Sequence, residues 1–246
     1  MDEESRAGGF EADGFGEAQH KENDESSPYG GIVRFVLEWP EVAEPVFTSD
    51  LGYRVELERA FIGVNRMQLV PCESETAALW SWMIPEVLAG HPGELHSSGF
   101  LKGALETLVP FGRLVLPDVE GAEGAVCEAH ILYAETPEFA VGVETELVGV
   151  SLLLEGVWHS EWGMSSAFRL ESNLANGVVL PLSSAPIDLE QHGIRVRFIR
   201  EAEGLLNGMD WATMSDENLA KKFLLNLVAN TRVESEPLNA ETEQEE

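Results

Sequence analysis

The sequence predicts an all-β protein, an antiparallel β-sandwich of about eight or nine strands with one C-terminal amphipathic helix. Three observations predict it. Short apolar runs recur from Gly31 onward, some with strict alternation, as where Tyr53, Val55 and Leu57 interleave with Arg54, Glu56 and Glu58. Turn chemistry separates the runs, at Pro117-Asp118, Gly121 to Gly124, Ser172-Asn173, Asn176-Gly177 and Gln191-His192-Gly193. One stretch alone, 215–230, carries a clear helical period. Many short strands with regular turns and a single helix fit a two-sheet sandwich.

The first strand is Ile32 to Leu37, closed by Trp39-Pro40. A second run begins at Tyr53 and continues from Phe61 to Val70, with Gly63 marking a bulge or bend. Residues 74–108 then interrupt the pattern with Trp80, Trp82, His91 and His96 in a Gly/Ser-rich stretch, longer than a hairpin loop and of the kind that carries binding residues. Within it, Leu101–Leu108 reads as a short helix. Further strands are expected at Arg113–Leu116, Ala125–Tyr133, Glu146–Trp158, Met164–Glu171, Gly177–Leu182 and Ile194–Arg200. Ser215 is a helix N-cap with Asp216 and Glu217 in the first turn, and Asn230 is the C-cap. Leu219, Phe223, Leu224, Leu227 and Val228 share one face, which predicts a helix closing one end of the sandwich.

The chain of 246 residues carries 15 Lys+Arg against 44 Asp+Glu, a formal net charge of −29. Residues 1–27 hold a net −7 and residues 231–246 a net −5, and both are poor in large aliphatic residues. Such segments bury too little surface to offset ordering entropy. The domain organisation read from this is an acidic, disordered tail over 1–30, a sandwich over 31–233 and a second disordered tail over 234–246. A net −17 remains on residues 28–230, which repels phosphate backbones and anionic lipid and excludes a nucleic-acid binder. The longest largely apolar stretch, Leu147 to Leu154 with Ser151 inside it, is eight residues, far short of a membrane-spanning helix.

No GxSxG, HExxH, P-loop or strand-flanked GxGxxG occurs, and the protein reads as a non-enzyme. Acidic pairs such as Glu144/Glu146 and Asp118/Glu120 suit glycoside hydrolysis in type, yet match the solvated faces of a chain this acidic. Trp80, Trp82, Trp158 and Trp162 fit either a sugar platform or core packing. Arg169, Arg195, Arg197 and Arg200 form the one basic cluster; Arg195 and Arg197 share a strand face and are expected to pair with neighbouring carboxylates. The histidines point to metal. His91-Pro-Gly-Glu-Leu-His96 places two imidazoles in one Gly/Pro loop, His130 follows Cys127 on its strand, and His159 and Glu161 lie two apart. Imidazole with carboxylate suits zinc, copper or nickel. Cys72 and Cys127 form no zinc spacing; they make a disulfide in an exported chain and two buried thiols in a cytosolic one.

Several stretches carry a resemblance. The run from Tyr53 to Leu69-Val-Pro-Cys72 resembles the strand pair ending in xLxPC of bacterial secreted or lipoprotein β-sandwiches, where a His-containing loop and then a second cysteine, here Cys127, follow. Leu205 to Trp211, ahead of the helix ending Ala229-Asn-Thr-Arg-Val233, resembles their closing segment. The chain is similar in pattern over 31–233 to the MbnP-like periplasmic copper-binding proteins, without counterparts to their Trp-rich and "NH" C-terminal motifs. The resemblance implies an extracytoplasmic sandwich, periplasmic or at the cell surface, a Cys72–Cys127 disulfide, and metal binding by His91, His96 and His130. That location assumes a signal segment removed ahead of the acidic start. The function expected is therefore a non-enzymatic copper or zinc binder, with a structural or adhesion module that meets a protein partner as the alternative.

Overall fold

A computed structural model describes residues 31–39, 45–72, 99–110, 112–121, 124–182, 187–189 and 193–238. The protein is mostly β, two sheets facing one another with one helix near the C-terminus. The strands are β1 (Ile32–Glu38), β2 (Val46–Thr48), β3 (Arg54–Pro71), β4 (Gly99–Phe100), β5 (Ala104–Thr107), β6 (Arg113–Val115) and β7 (Val119–Glu120). They continue with β8 (Ala125–Tyr133), β9 (Leu152–His159), β10 (Ser165–Ser172), β11 (Asn176–Pro181), β12 (Ile187–Asp188), β13 (Ile194–Arg200) and β14 (Thr231–Pro237), with helix α1 (Asp216–Ala229) ahead of β14. The described residues hold fourteen strands rather than eight or nine, because β2, β4, β7 and β12 are two- or three-residue pairings, too short to show a period in the sequence, and because β5 and β14 fall where a helix and a tail are expected.

The smaller sheet runs β14-β13-β1-β6, with β7 also on β1. Its β1–β13 pair is parallel, Val33 facing Ile194 through Glu38 facing Ile199, so the sandwich is not purely antiparallel. The larger sheet is built on β3, which has strand partners along both edges. Along one edge β3 pairs with β9 over Arg54–Ile62 and then with β8 over Val64–Pro71; along the other it meets β2, β5 and β4 in turn. Gly63 sits where β9 gives way to β8. A Cβ there would lie 2.5 Å from the Ala134 carbonyl oxygen and 2.5 Å from Thr136 Oγ1, so no larger residue fits. The irregularity expected at Gly63 falls at its neighbour Asn65, the extra residue in the register shift between Val64 and Arg66.

Three local expectations are corrected. Residues 101–108 form no helix: Gly103 at φ 73° turns the chain, and β5 pairs with β3 from Phe61 to Val64. The strand expected at Glu146–Trp158 begins only at Leu152, because Thr145–Leu147 is a 3₁₀ turn that folds Leu147 onto Phe61, Leu105 and Leu153. The tail expected over 234–246 does not begin at 234, since β14 runs to Pro237 and pairs with β13 along its whole length; residues 239–246 lie outside the described residues. Its alternating Val233 and Ser235 are buried while the intervening charges face outward, a pattern too short to outweigh the acidic composition. The expected tail over 1–30 lies outside the described residues.

The core lies between the sheets, with Phe35 and Leu37 of β1 and Phe198 of β13 meeting Val55, Ile62 and Met67 of β3 and Ile131 of β8 in one cluster. Helix α1 starts at Ser215, whose Oγ accepts from the Asn218 amide, and packs against β10. Leu219, Phe223, Leu224 and Leu227 are buried on its inner face. Asn226, also buried, donates to the carbonyls of Leu205 and Asn207 and so ties the preceding loop to the helix.

One polar group sits inside this core. Arg200 on β13 and Glu106 on β5 are each 1% exposed and join the two sheets through Nε to Oε1 at 3.1 Å and Nη2 to Oε2 at 2.9 Å. Trp39 Nε1 donates to Glu106 Oε1 at 2.7 Å, and Arg200 Nη1 donates to Thr231 Oγ1 at 2.7 Å. Burial by itself would lower the Arg200 pKa, but the Glu106 carboxylate outweighs it and holds the guanidinium charged. Tyr133 lies beside the pair, its ring centroid 5.6 Å from Arg200 Cζ, and burial pushes its hydroxyl up to about 12.

Removing one partner leaves an uncompensated buried charge. Glu106→Ala is expected to cost about 3–5 kcal/mol of unfolding free energy, read by urea denaturation; a loss below about 1 kcal/mol would show that the pair does not hold the sheets. At high pH the sign follows from Tyr133. Between its ordinary pKa near 10 and the folded value of about 12, the unfolded chain releases a proton that the folded chain retains, so stability falls as pH rises. This contribution is about 2–3 kcal/mol across the window, and Tyr133→Phe should flatten that part of the alkaline decline.

Candidate functional site

The sequence directs attention to the end of the larger sheet that carries the cysteines. Cys72 directly follows β3, and Cys127 is the extra residue of a bulge in β8, where Val70 faces Glu128 and Pro71 faces Val126. The bulge brings the two together as a disulfide with Cα atoms 4.8 Å apart. The Cys72 amide donates to the Ala125 carbonyl at 2.9 Å, adding a backbone tie at the same point. The segment 73–98 therefore leaves from a locked position. It returns at β4, whose Gly99 pairs with Gln68, four residues before Cys72 on the same strand. His91 and His96, the leading ligand candidates, fall on this segment and lie outside the described residues, as do Trp80 and Trp82.

His130 is described. It sits on β8 between Gln68 of β3 and Val179 of β11, half-buried, with its neighbours Ala129 and Ile131 turned into the core. A Cβ on Gly177 would stand 3.2 Å from His130 Nε2, so the glycine gives the ring its room. Among the described residues no three His, Cys, Asp or Glu side chains converge as a metal site. His159 and Glu161, expected on one side of a strand, are separated. His159 ends β9 with Nε2 3.6 Å from Glu56 Oε1, whereas Glu161 lies in the following turn with its carboxyl carbon 3.3 Å from where a Gly52 Cβ would be.

The charged candidates pair with one another. Arg195 reaches Glu236 at 3.1 Å, and Arg197 forks onto Glu38 at 2.9 Å and also meets Glu234. Arg169 pairs with Glu155 and Glu171, and Glu144 and Glu146 both approach Arg59. Asp118 accepts both arms of Arg34. Trp158 packs edge-on to buried Tyr53 at 5.5 Å, a core role. The Tyr53 hydroxyl donates to Asp210 at 2.6 Å; Thr213 Oγ1, first, and then Tyr53 hold that carboxyl below its ordinary range.

A feature missed in the sequence lies at the other end of the larger sheet. Two turns share one pattern, Ser-acid-apolar-Gly-apolar: Ser49-Asp50-Leu51-Gly52-Tyr53 between β2 and β3, and Ser160-Glu161-Trp162-Gly163-Met164 between β9 and β10. Their hydrogen bonds match one for one. The Ser49 amide donates to the Tyr53 carbonyl at 2.8 Å, the Tyr53 amide returns to Ser49 Oγ at 3.2 Å, and the Gly52 amide donates to the Ser49 carbonyl at 3.1 Å. In the second turn the Ser160 amide donates to the Met164 carbonyl at 2.8 Å, the Met164 amide to Ser160 Oγ at 3.1 Å, and the Gly163 amide to the Ser160 carbonyl at 3.1 Å. Gly52 at φ 79° and Gly163 at φ 81° supply the left-handed residue that each turn requires. The repeated five-residue pattern is the signal that finds them.

Comparison with known protein families, curated protein sequences and solved structures yields no match to this chain.

The disulfide closes a 55-residue separation, for which the chain-entropy account gives a stabilisation of about 4 kcal/mol. The double variant Cys72→Ser/Cys127→Ser should lose stability of that order in urea unfolding, and an unchanged midpoint would remove the clamp from the account of this end.

Proposed function

We propose that the protein is a β-sandwich module of an extracytoplasmic compartment that acts by binding rather than by catalysis. The observation that carries this reading is the Cys72–Cys127 disulfide, because such bonds persist in oxidising compartments and are kept reduced in most cytosols. The similarity in pattern to periplasmic sandwiches supports the same location. Of the acidic pairs considered for hydrolysis, Glu144 and Glu146 at the 3₁₀ turn are engaged with Arg59. Thiol titration of the unfolded, unreduced protein from its source cells is expected to find no reactive cysteine and fractionation to find the protein outside the cytoplasm. Two thiols per chain would overturn the reading.

Metal binding is the second reading, favoured by the way both ends of segment 73–98 are held on β3, by the disulfide at Cys72 and by β4 at Gly99. A segment with anchored ends loses less entropy when two of its side chains chelate an ion. His91 and His96 are the ligands in this reading, and His130 a third. Isothermal titration with copper and with zinc is expected to give a binding heat in the wild type that His91→Ala/His96→Ala abolishes. Equal heats in the two proteins, including no heat in either, would exclude these histidines as ligands.

A further inference from the structure

We propose that the paired turns at 49–53 and 160–164 form a docking edge for a neutral glycan chain, with Trp162 as the main sugar platform. The inference rests on the extracytoplasmic binding reading, since that is where such chains are met. The turns lie side by side. Thr48 pairs with Arg54, Arg54 with His159, and His159 with Ser165, one row across β2, β3, β9 and β10. The middles of the two hairpins are therefore two strand spacings, about 10 Å, apart. That is the reach of a disaccharide.

Each turn presents a large apolar side chain to solvent at its third position, Leu51 at 43% and Trp162 at 70% exposure, with Met164 at 48% beside the latter. Leaving an indole this open forgoes burial that would otherwise stabilise the fold. Glu161, next to Trp162 in the second turn, reaches across to the first. Its carboxyl group rests over Gly52, where a side chain would crowd it, and it pairs with no base among the described residues. Asp50, its counterpart, accepts from the Gly208 amide at 2.6 Å and donates its own amide to Asn207 Oδ1 at 3.1 Å, which braces the first turn against the loop ahead of α1. The first turn is thus braced before any partner arrives, which lowers the ordering cost of binding there.

Chemistry selects the occupant. A pyranose offers apolar C–H faces ringed by hydroxyl donors, and this edge offers the flat, exposed indole of Trp162 next in the chain to the exposed carboxylate acceptor of Glu161. Three apolar side chains expose on the order of 300 Å², small beside the roughly 800 Å² per partner of a stable protein interface. A bilayer is disfavoured because Asp50 and Glu161 directly precede the groups that would insert. The net −17 of residues 28–230 excludes anionic glycans as partners and leaves neutral ones.

The test is affinity electrophoresis of the full, oxidised chain through soluble β-glucan, xylan, galactomannan and amylose, with pull-down on cellulose and chitin. Wild type is expected to bind at least one of these; Trp162→Ala should weaken it at least ten-fold, Trp162→Phe should retain part of it, and Glu161→Gln should weaken it several-fold. Both sites are exposed, and an unchanged Tm confirms that each of the three variants is folded. No retention of wild type on any glycan, or equal retention of Trp162→Ala, overturns the proposal. So does a Trp162-dependent association with phosphatidylcholine vesicles or a Trp162-dependent dimer in sedimentation without glycan binding. The thiol count reads the location independently, so a failure of either reading is told from a failure of the other.

Discussion

The contact on which the two sheets depend is the buried pair of Glu106 and Arg200. A carboxylate and a guanidinium without water attract strongly only when their remaining donors and acceptors are also met, and here they are met from both layers. Trp39 comes from the strand that opens the smaller sheet, Thr231 from its last strand, and Glu106 from a short strand on the edge of the larger one. Thr231 Oγ1 passes the chain of bonds on to the Leu227 carbonyl at the end of the helix. The first strand, the last strand, the helix end and the middle of the chain therefore converge on one network. Apolar packing tolerates small slips between sheets, whereas this geometry allows one alignment.

The same alignment explains how the smaller sheet forms. The parallel pairing of β1 with β13 joins residues some 160 positions apart, and β14 adds to it only after the helix has turned the chain back. Such non-local pairing costs loop entropy before it gains contacts. The larger sheet has an independent frame in the eighteen-residue β3, which serves as a partner to five other strands. One end of that frame is locked by the disulfide and the other is finished by two matched turns, so the two candidate binding features lie at opposite ends of one strand.

Much of the fold was legible in the sequence. Alternation at Tyr53–Glu58 and the apolar runs at 32–37, 125–133 and 194–200 marked strands because their side chains divide between core and solvent. Ser215 and Asn230 marked the helix because orphan backbone groups at its ends need those side chains. The failures are equally physical. Leu101–Leu108 reads as a helix when isolated, and pairing with β3 overrides that preference. Leu147 belongs to an apolar run yet folds onto the outer cluster with Phe61 instead of extending β9. Of the candidate site residues, the cysteines could be named and their bond left open, because joining them depends on a bulge that periodicity does not reveal.

What the sequence by itself determined is the class of fold, the position of its helix and the acidic character of the chain, since these follow from composition and local period. The tertiary structure decided the parallel β1–β13 pair, the Cys72–Cys127 bond and the partnership of Glu106 with Arg200 across the sheets. It also decided that the turns at Ser49 and Ser160, 111 residues apart in the chain, are neighbours. The physical reason is common to all four. Each joins residues distant in sequence, and the free energy that selects such partners exists only once the sheets have paired.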